Sequence, residues 1–209
     1  MRIAPVCRKI GILLSGRGSN FRAIADRIAS GRLNAEIGVV ISNNEAAPGL
    51  AEAKRRGLDA ICIPSSGRRR EEFDQDAVDL LRDRNVGLVC LAGFMQVLGP
   101  VFVRAFPRAI LNIHPSLLPS FPGLDVQRQA IEHGVKFSGC TVHLVDESLD
   151  GGPIVRQAVV PVLEGDSVDD LSARILAEEH RIYSEAIALM LDERCEVDGR
   201  RVIIKDSND

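Results

Sequence analysis

Short apolar runs alternate with longer amphipathic stretches through the first two thirds of this 209-residue chain. An alternation of this kind is typical of βα units, which build a parallel sheet with helices packed on it. The predicted strands are 9–15, 36–42, 60–64, 87–92 and 109–113, and the predicted helices between them are 20–30, 48–56, 70–84 and 99–106.

The last third of the chain departs from this alternation. Two predicted strands, 140–145 and 154–162, flank a glycine-rich turn, and a long helix is predicted from Ser167 toward Met190, followed by a short strand at 202–205. The predicted fold class is therefore α/β. We expect an open, mostly parallel, twisted sheet of Rossmann-like type with helices on both faces, an antiparallel C-terminal part and a long C-terminal helix.

The composition fits one domain spanning residues 1–209. Hydrophobic residues make up 45% of the chain, which is enough to form a substantial core. The formal net charge of -3 excludes the strong positive field with which non-specific nucleic-acid binders neutralise phosphates. Nucleic acid is therefore not an expected partner.

The cysteines indicate a reducing compartment and no structural metal. They are odd in number and widely spread, with no C-x-x-C pair and no histidine at zinc-finger spacing. Residues 1–8 lack the apolar stretch of a signal peptide, so the expected location is cytoplasmic. The cysteines are Cys7, Cys62, Cys90, Cys140 and Cys195.

The segment 86–103 approaches the length of a membrane span and contains one polar side chain, Gln96. Glycines at 87, 93 and 99 and a proline at 100 interrupt it. Such interruptions favour a buried strand, a turn and the start of a helix, so we expect no membrane association.

The first candidate site is the run 15–20, SGRGSN, which follows an apolar strand and opens a helix. Glycine lets backbone N–H groups approach an anion, and a helix start favours a phosphate. A tight strand-to-helix turn with no ligand is an equally simple interpretation. A dinucleotide site is less favoured, because Phe21 stands where a G-x-G-x-x-G motif has its third glycine; Glu45 nevertheless lies near the expected ribose-binding acid.

The second candidate site is the run 112–119, NIHPSLLP, at the carboxyl end of the fifth predicted strand. Open parallel sheets bind their ligands at this edge. Asn112 and His114 are two residues apart in an extended segment, so their side chains point to the same side. Pro115 ends the strand, and the segment 115–123 is predicted to be a loop that closes over substrate. A structural histidine is the alternative interpretation of His114.

The third candidate is the acidic turn 146–153, DESLDGGP, between two predicted strands. A solvated loop is its usual interpretation. No cluster there has the spacing of metal ligands, so no metal is expected.

Together these motifs resemble the folate-dependent formyltransferases. The resemblance lies in the run 112–119, the turn 149–153 and the Gly93-Phe94-Met95 tripeptide. The run 18–20, with Glu178-Glu179-His180 in the long helix, is similar to the phosphoribosylglycinamide branch of that family. The match extends from about residue 9 to residue 187.

The resemblance implies a role for each of these residues. Asn112, His114 and Asp150 match the catalytic residues of the family, and Asn112 also contacts the folate. The phosphate and ribose of the substrate are bound by Gly18, Ser19, Asn20 and Glu179. The folate is bound by Arg70, Met95, Gln96, Val97 and Leu98. Two departures from the family pattern are Gln96, where arginine is frequent, and the segment 124–127, which lacks the usual histidine.

The implied reaction moves the formyl group of 10-formyltetrahydrofolate to the amine of 5-phosphoribosylglycinamide in de novo purine biosynthesis. Direct attack by the amine needs no activated serine or cysteine, in agreement with the absence of G-x-S-x-G. Asn112 and His114 would stabilise the oxyanion, while Asp150 tunes His114 and assists proton transfer. The expected partners are small molecules, and the chain is expected to be a monomer or a homodimer.

Two alternatives use the same residues differently. A formyltetrahydrofolate deformylase would use water as the nucleophile, but relatives of that kind normally carry an additional N-terminal domain. A non-catalytic module that binds phosphate or a nucleotide would use the turn at Gly18 and leave His114 without a purpose.

Overall fold

The computed structural model describes residues 7–205, so both ends of the domain predicted over 1–209 extend outside the described residues. Within that range, nine strands form one sheet in the order β3-β2-β1-β4-β5-β6-β7-β9-β8. They are β1 (Lys9–Leu14), β2 (Glu36–Ser42), β3 (Ala60–Cys62), β4 (Leu88–Leu91), β5 (Ile110–His114), β6 (Phe137–Leu144), β7 (Ile154–Pro161), β8 (Cys195–Asp198) and β9 (Arg201–Ile204).

Six helices flank these strands in the same part of the chain. They are α1 (Ser19–Ala29), α2 (Pro48–Arg55), α3 (Arg70–Asp83), α4 (Pro100–Ala105), α5 (Val126–Glu132) and α6 (Val168–Leu191). Ser167 forms a capping box with Asp170 at the start of α6, as the acidic first turn predicts.

The strand pairing confirms the predicted fold class. Strands β3, β2, β1, β4 and β5 are parallel neighbours, and the chain changes direction where β5 meets β6. The pairs β5–β6, β6–β7 and β8–β9 are antiparallel, whereas β7 and β9 are parallel.

Helices cover both faces of the sheet because the central strands are apolar on both sides. In β1, Ile12 and Leu14 pack in a core with α1, α2 and α6, whereas Leu13 packs with α3 and α4 on the opposite face. Short strands buried on both faces read as continuous apolar runs, which is why the sequence identifies them.

Two elements differ from the sequence-based prediction. Helix α5 was not predicted, and it includes Val126 and Gln127 of the segment 124–127. Only Val126 and Ala130 of this helix are buried, which gives little apolar periodicity. Strand β8 was not predicted, because only two of its four residues, Cys195 and Val197, are apolar. The segment 86–103 does form β4, a turn and α4, as predicted.

One side chain of α6 fixes the two central strands beneath their carboxyl ends. The hydroxyl oxygen of the fully buried Tyr183 lies 3.0 Å from the carbonyl oxygens of both Leu91 and Leu111. Its single hydrogen is therefore shared between β4 and β5, whose ends carry most of the candidate site.

Candidate active site

The predicted catalytic trio lies together at the carboxyl end of β5. His114 is the last residue of this strand, and its side chain is buried beside Asp150, with Nδ1 3.6 Å from Oδ2. This distance is longer than a hydrogen bond but within the range of an ion pair when both ring nitrogens carry a proton. Nε2 of His114 lies 2.9 Å from the carbonyl oxygen of Phe121.

Asp150 is held by an unusual backbone conformation. Its φ of 49° lies in the left-handed region, which is strained for a residue with a side chain. Its Oδ2 also accepts a 2.9 Å hydrogen bond from the backbone N–H of Gly123. The carboxylate thus contacts His114 and the end of the loop 115–123 at once.

His143 on β6 belongs to the same cluster, and the sequence-based prediction missed it. It is the cross-strand partner of Asn112, and its Nε2 lies 3.2 Å from Asn112 Nδ2 and 3.8 Å from Asp150 Oδ1. The signal in the sequence is a histidine inside the apolar run TVHLV, which becomes informative only once β6 is known to pair with β5.

The hydrogen bonds of His143 define the orientation of the Asn112 amide. Nδ1 of His143 donates to the Leu144 carbonyl at 3.0 Å in the tautomer that leaves Nε2 as an acceptor. Asn112 Nδ2 then donates one hydrogen to His143 and keeps the other for a ligand. Burial lowers the pKa of His143, so the neutral form that this arrangement requires is favoured.

The loop 115–123 is anchored to β6 and β7 by polar side chains. Thr141 donates to the Ser116 carbonyl at 2.7 Å and accepts from the backbone N–H of Leu118 at 3.0 Å. Gln157 donates to the Leu118 carbonyl at 2.9 Å. These contacts fix the first half of the loop against the sheet beside His114.

The predicted phosphate-binding turn follows β1 and opens α1. Gly18 is the N-cap of this helix in a left-handed conformation, with φ 69°. A Cβ at Gly18 would lie 2.8 Å from the Cα of Gly49, so the turn also packs against α2. Glycine is required here both for the backbone conformation and for the contact between the two segments. Ser19 is the first residue of α1.

Asn20 and Glu179 are brought together by the packing of α1 on α6. Both are buried, and Asn20 Nδ2 donates a 2.8 Å hydrogen bond to Glu179 Oε2. Burial raises the pKa of Glu179, while the Asn20 hydrogen bond and the charge of His114 act in the opposite direction. The Asn20–Glu179 hydrogen bond thus joins the phosphate turn to α6.

The predicted folate residues lie in the loop between β4 and α4 and at the start of α3. Arg70, Gln96 and Val97 line a cavity of about 240 Å³, together with Ser65, Arg68, Arg69 and Phe73. Met95 and Leu98 do not line this cavity. Met95 is exposed and Leu98 is buried. The trio is also outside the lining. Ser65, which accepts from Gln96 Nε2 at 2.6 Å, is a further cavity residue that the sequence analysis did not identify.

The phosphate turn and the folate loop are directly connected. The backbone N–H of Ser15 donates to the Gly93 carbonyl at 3.0 Å, and the Ser15 hydroxyl accepts from the N–H of Met95 at 2.8 Å. The parallel pairing of β1 with β4 places these two turns side by side.

Neither a metal cluster nor a membrane-spanning helix is present among residues 7–205. In this range no three or more His, Cys, Asp or Glu side chains are arranged to hold a metal ion. Over the same residues, no helix combines the length and the apolar character needed to cross a bilayer.

The sequence matches a known protein family over most of its length. The Formyl transferase family model matches residues 8–187, which includes the trio, the phosphate turn and the folate loop. The chain belongs to the formyl transferase family. The resemblance inferred from the separated motifs is thereby confirmed.

Similar formyl transferase family members include bacterial and animal proteins. Glycinamide ribonucleotide transformylase 1 from Symbiobacterium toebii is 52% identical with a TM-score of 0.94, covering 96% of this chain and 95% of that one. Phosphoribosylglycinamide formyltransferase of Escherichia coli (strain K12) is 40% identical over 201 residues, which are 92% of this chain and 95% of the relative. The trifunctional purine biosynthetic protein adenosine-3 of Drosophila melanogaster is 43% identical over 188 residues; the match covers 88% of this chain but only 14% of that protein.

Proposed function

We propose that this chain transfers the formyl group of 10-formyltetrahydrofolate to the amine of 5-phosphoribosylglycinamide in de novo purine biosynthesis. One observation carries the proposal. Asn112 and His114 lie at the carboxyl end of β5, at the same edge of the sheet as the Gly18 turn, which follows β1, and the loop 95–98, which follows β4. A reaction between an anionic substrate and a folate needs both elements around one reacting centre.

The reaction forms a bond between the substrate amine and the formyl carbon and breaks the bond between that carbon and the folate nitrogen. The amine attacks in its neutral form, so no side-chain nucleophile is needed. The amine loses one proton and the folate nitrogen gains one, so the proton balance closes without another reactant. The protein must bind both substrates, stabilise the oxyanion and move this proton.

Asn112 is suited to the oxyanion because His143 fixes its amide. One Nδ2 hydrogen is donated to His143, which leaves the second to point at the developing charge. A donor held in advance costs no reorganisation when the charge forms, and loss of one such donor typically costs about 2.7 to 4 kcal/mol. Protonated His114 is the second donor in this proposal, through its Nδ1–H, because Nε2–H faces the Phe121 carbonyl.

Asp150 and His114 are suited to the proton transfer. The Asp150 carboxylate stabilises the imidazolium form of His114 at 3.6 Å, and it is positioned to take the amine proton through a bridging water. The hydrogen bond from Gly123 and the left-handed backbone keep the carboxylate facing His114.

The residues that bind the two substrates are part of the same proposal. Gly18, Ser19, Asn20 and Glu179 bind the phosphate and ribose, and Arg70 with the stretch 95–98 binds the folate. We also propose a single domain over 1–209, a cytoplasmic location, and a monomer or homodimer.

The test is an absorbance assay for the deformylated folate with two acceptors. One is 5-phosphoribosylglycinamide, and the other is the same nucleoside without its phosphate. The proposal predicts rapid turnover with the first and a large rise in KM with the second, because the phosphate contacts are lost. Equal turnover with both acceptors would contradict the assignment of the Gly18 turn, and no turnover with either would contradict the proposed reaction.

A further inference from the structure

Asp74 is a buried carboxyl group on α3 that the proposed chemistry does not use. Its side chain is 1% exposed, and Oδ2 accepts a 2.8 Å hydrogen bond from the backbone N–H of Gly99. Oδ1 is buried with no hydrogen-bond partner. Burying a carboxyl group with one of its oxygens unpaired is costly, so its presence needs a reason beyond the filling of space.

The hydrogen bond from Gly99 fixes one end of the folate loop. Gly99 is the N-cap of α4 and directly follows the stretch 95–98. The other end is fixed by Ser15, whose hydroxyl accepts from the N–H of Met95 at 2.8 Å. A side-chain oxygen from another element therefore holds the backbone on each side of the four residues proposed to bind folate.

The same face of α3 supports the cavity beside this loop. Phe73 stacks on Phe94 with ring centroids 5.8 Å apart, and Arg70 lies close enough that a Cβ at Gly99 would be 3.3 Å from its Cδ. That Cβ would also collide with Asp74 Oδ2. Glycine at 99 thus permits the close approach of the loop to α3 on which the hydrogen bond depends.

The surroundings of Asp74 shift the pKa of its carboxyl group in both directions. Burial raises the pKa of Asp74, and the N–H of Gly99 and the charge of Arg70 act in the opposite direction. In the ionised form, the hydrogen bond from Gly99 is charge-assisted and stronger than one between neutral groups.

We propose that Asp74 is a positioning residue that holds the backbone of residues 95–98 in the geometry that binds the folate, by accepting the N–H of Gly99. The proposal rests on the proposed function. In this role, loss of Asp74 weakens the binding of the folate but not of 5-phosphoribosylglycinamide. A purely structural role would affect the binding of both.

The experiment compares the affinities of wild type, Asp74→Ala and Asp74→Asn for 10-formyltetrahydrofolate and for 5-phosphoribosylglycinamide by calorimetry. Asp79→Ala is the matched control, since Asp79 is an exposed aspartate on the same helix. We expect Asp74→Ala to bind the folate about tenfold more weakly, the effect of one lost charge-assisted hydrogen bond, and to bind the second substrate within about twofold of wild type. Asp74→Asn retains an acceptor for Gly99 and should restore most of the folate affinity.

Unchanged folate affinity in Asp74→Ala, or an equal loss for both substrates, overturns the proposal. If Asp74→Ala does not fold, Asp74→Ser carries the comparison, because its hydroxyl ends one bond short of the position of Oδ2. Failure of both variants to fold assigns Asp74 to the core and also overturns the proposal. Failure of the wild type to bind the folate overturns the proposed function itself, which keeps the two outcomes distinguishable.

Discussion

Asp150 Oδ2 lies 3.6 Å from His114 Nδ1, although His114 ends strand β5 and Asp150 lies in the turn between β6 and β7. His114 ends a central strand before a proline, and Asp150 occupies a strained turn before β7. The same carboxylate oxygen accepts from Gly123. The contact therefore joins the imidazole, the acidic turn and the loop 115–123 into one unit.

Replacing either member of this pair should slow the chemical step. We expect His114→Ala and Asp150→Asn each to lower the single-turnover rate at least about a hundredfold, because both act at the transition state. Glu147→Gln is the control, since Glu147 is an exposed acid in the same turn. A near-normal single-turnover rate in either folded variant would remove that residue from the mechanism.

His143 should affect kcat more than KM, since it orients Asn112. We expect His143→Ala to lower kcat about tenfold or more, because Asn112 then lacks the acceptor that directs its second hydrogen toward the oxyanion. His143→Gln, which can offer an amide oxygen, should recover part of the loss. Steady-state kinetics of both variants decide this, and an unchanged kcat in His143→Ala would show that the amide is oriented by other contacts.

The stability of the protein should depend on pH through His143. Burial lowers the pKa of His143 in the folded protein below its ordinary value of 6.5. A group with a depressed folded-state pKa stabilises the fold above the unfolded-state pKa, and this stability is lost as the pH falls through the folded-state pKa. The melting temperature of wild type, relative to that of His143→Gln, should therefore fall as the pH drops below about 6.5. A melting-temperature difference that stays constant between about pH 5 and pH 8, the range in which histidine titrates, would contradict this.

Gly18 and Gly16 offer a matched pair in the phosphate turn. Gly18→Ala places a side chain in a left-handed conformation and against Gly49, whereas a Cβ at Gly16 meets nothing within 4 Å. We expect Gly18→Ala to lower the free energy of unfolding by about 1 to 3 kcal/mol and Gly16→Ala to change it little. Because Gly18 has this packing role, only a loss of substrate affinity measured on folded protein reports on the phosphate.

Arg70 and Arg69 can be compared in the same way for the folate. Both are exposed and line the cavity, but Arg69 is paired with Glu72. Charge reversal at Arg70 should weaken folate binding about tenfold if it holds an anionic part of the folate, and reversal at Arg69 should have a smaller effect. Equal folate affinity in Arg70→Glu and wild type would remove Arg70 from the folate site.

The positions of most strands, and the end of β5 at His114, can be predicted from the sequence, because both depend on local pattern. Strands buried on both faces read as apolar runs, and a proline after His114 marks where β5 stops. The seven-residue helix α5 has two buried positions, too few to distinguish it from the loop before it.

The parts that could not be predicted depend on contacts between distant segments. His143 joins the site only through the register that pairs it with Asn112. The helical spacing places Asp74 on the apolar face of α3 with Ala77, Val78 and Leu81, but its hydrogen bond with Gly99 depends on how the start of α4 packs against α3. Likewise, the second role of Gly18 is visible only in its approach to Gly49.

In the proposed reaction an amine, and not water, accepts the formyl group. The most direct measurement follows 10-formyltetrahydrofolate consumption, formate release and formylated product with and without 5-phosphoribosylglycinamide. A site that orders the amine and excludes water should consume the folate rapidly only when the amine is present, with one formylated product per folate consumed. Rapid formate release in the absence of the amine would contradict the account and identify a hydrolase.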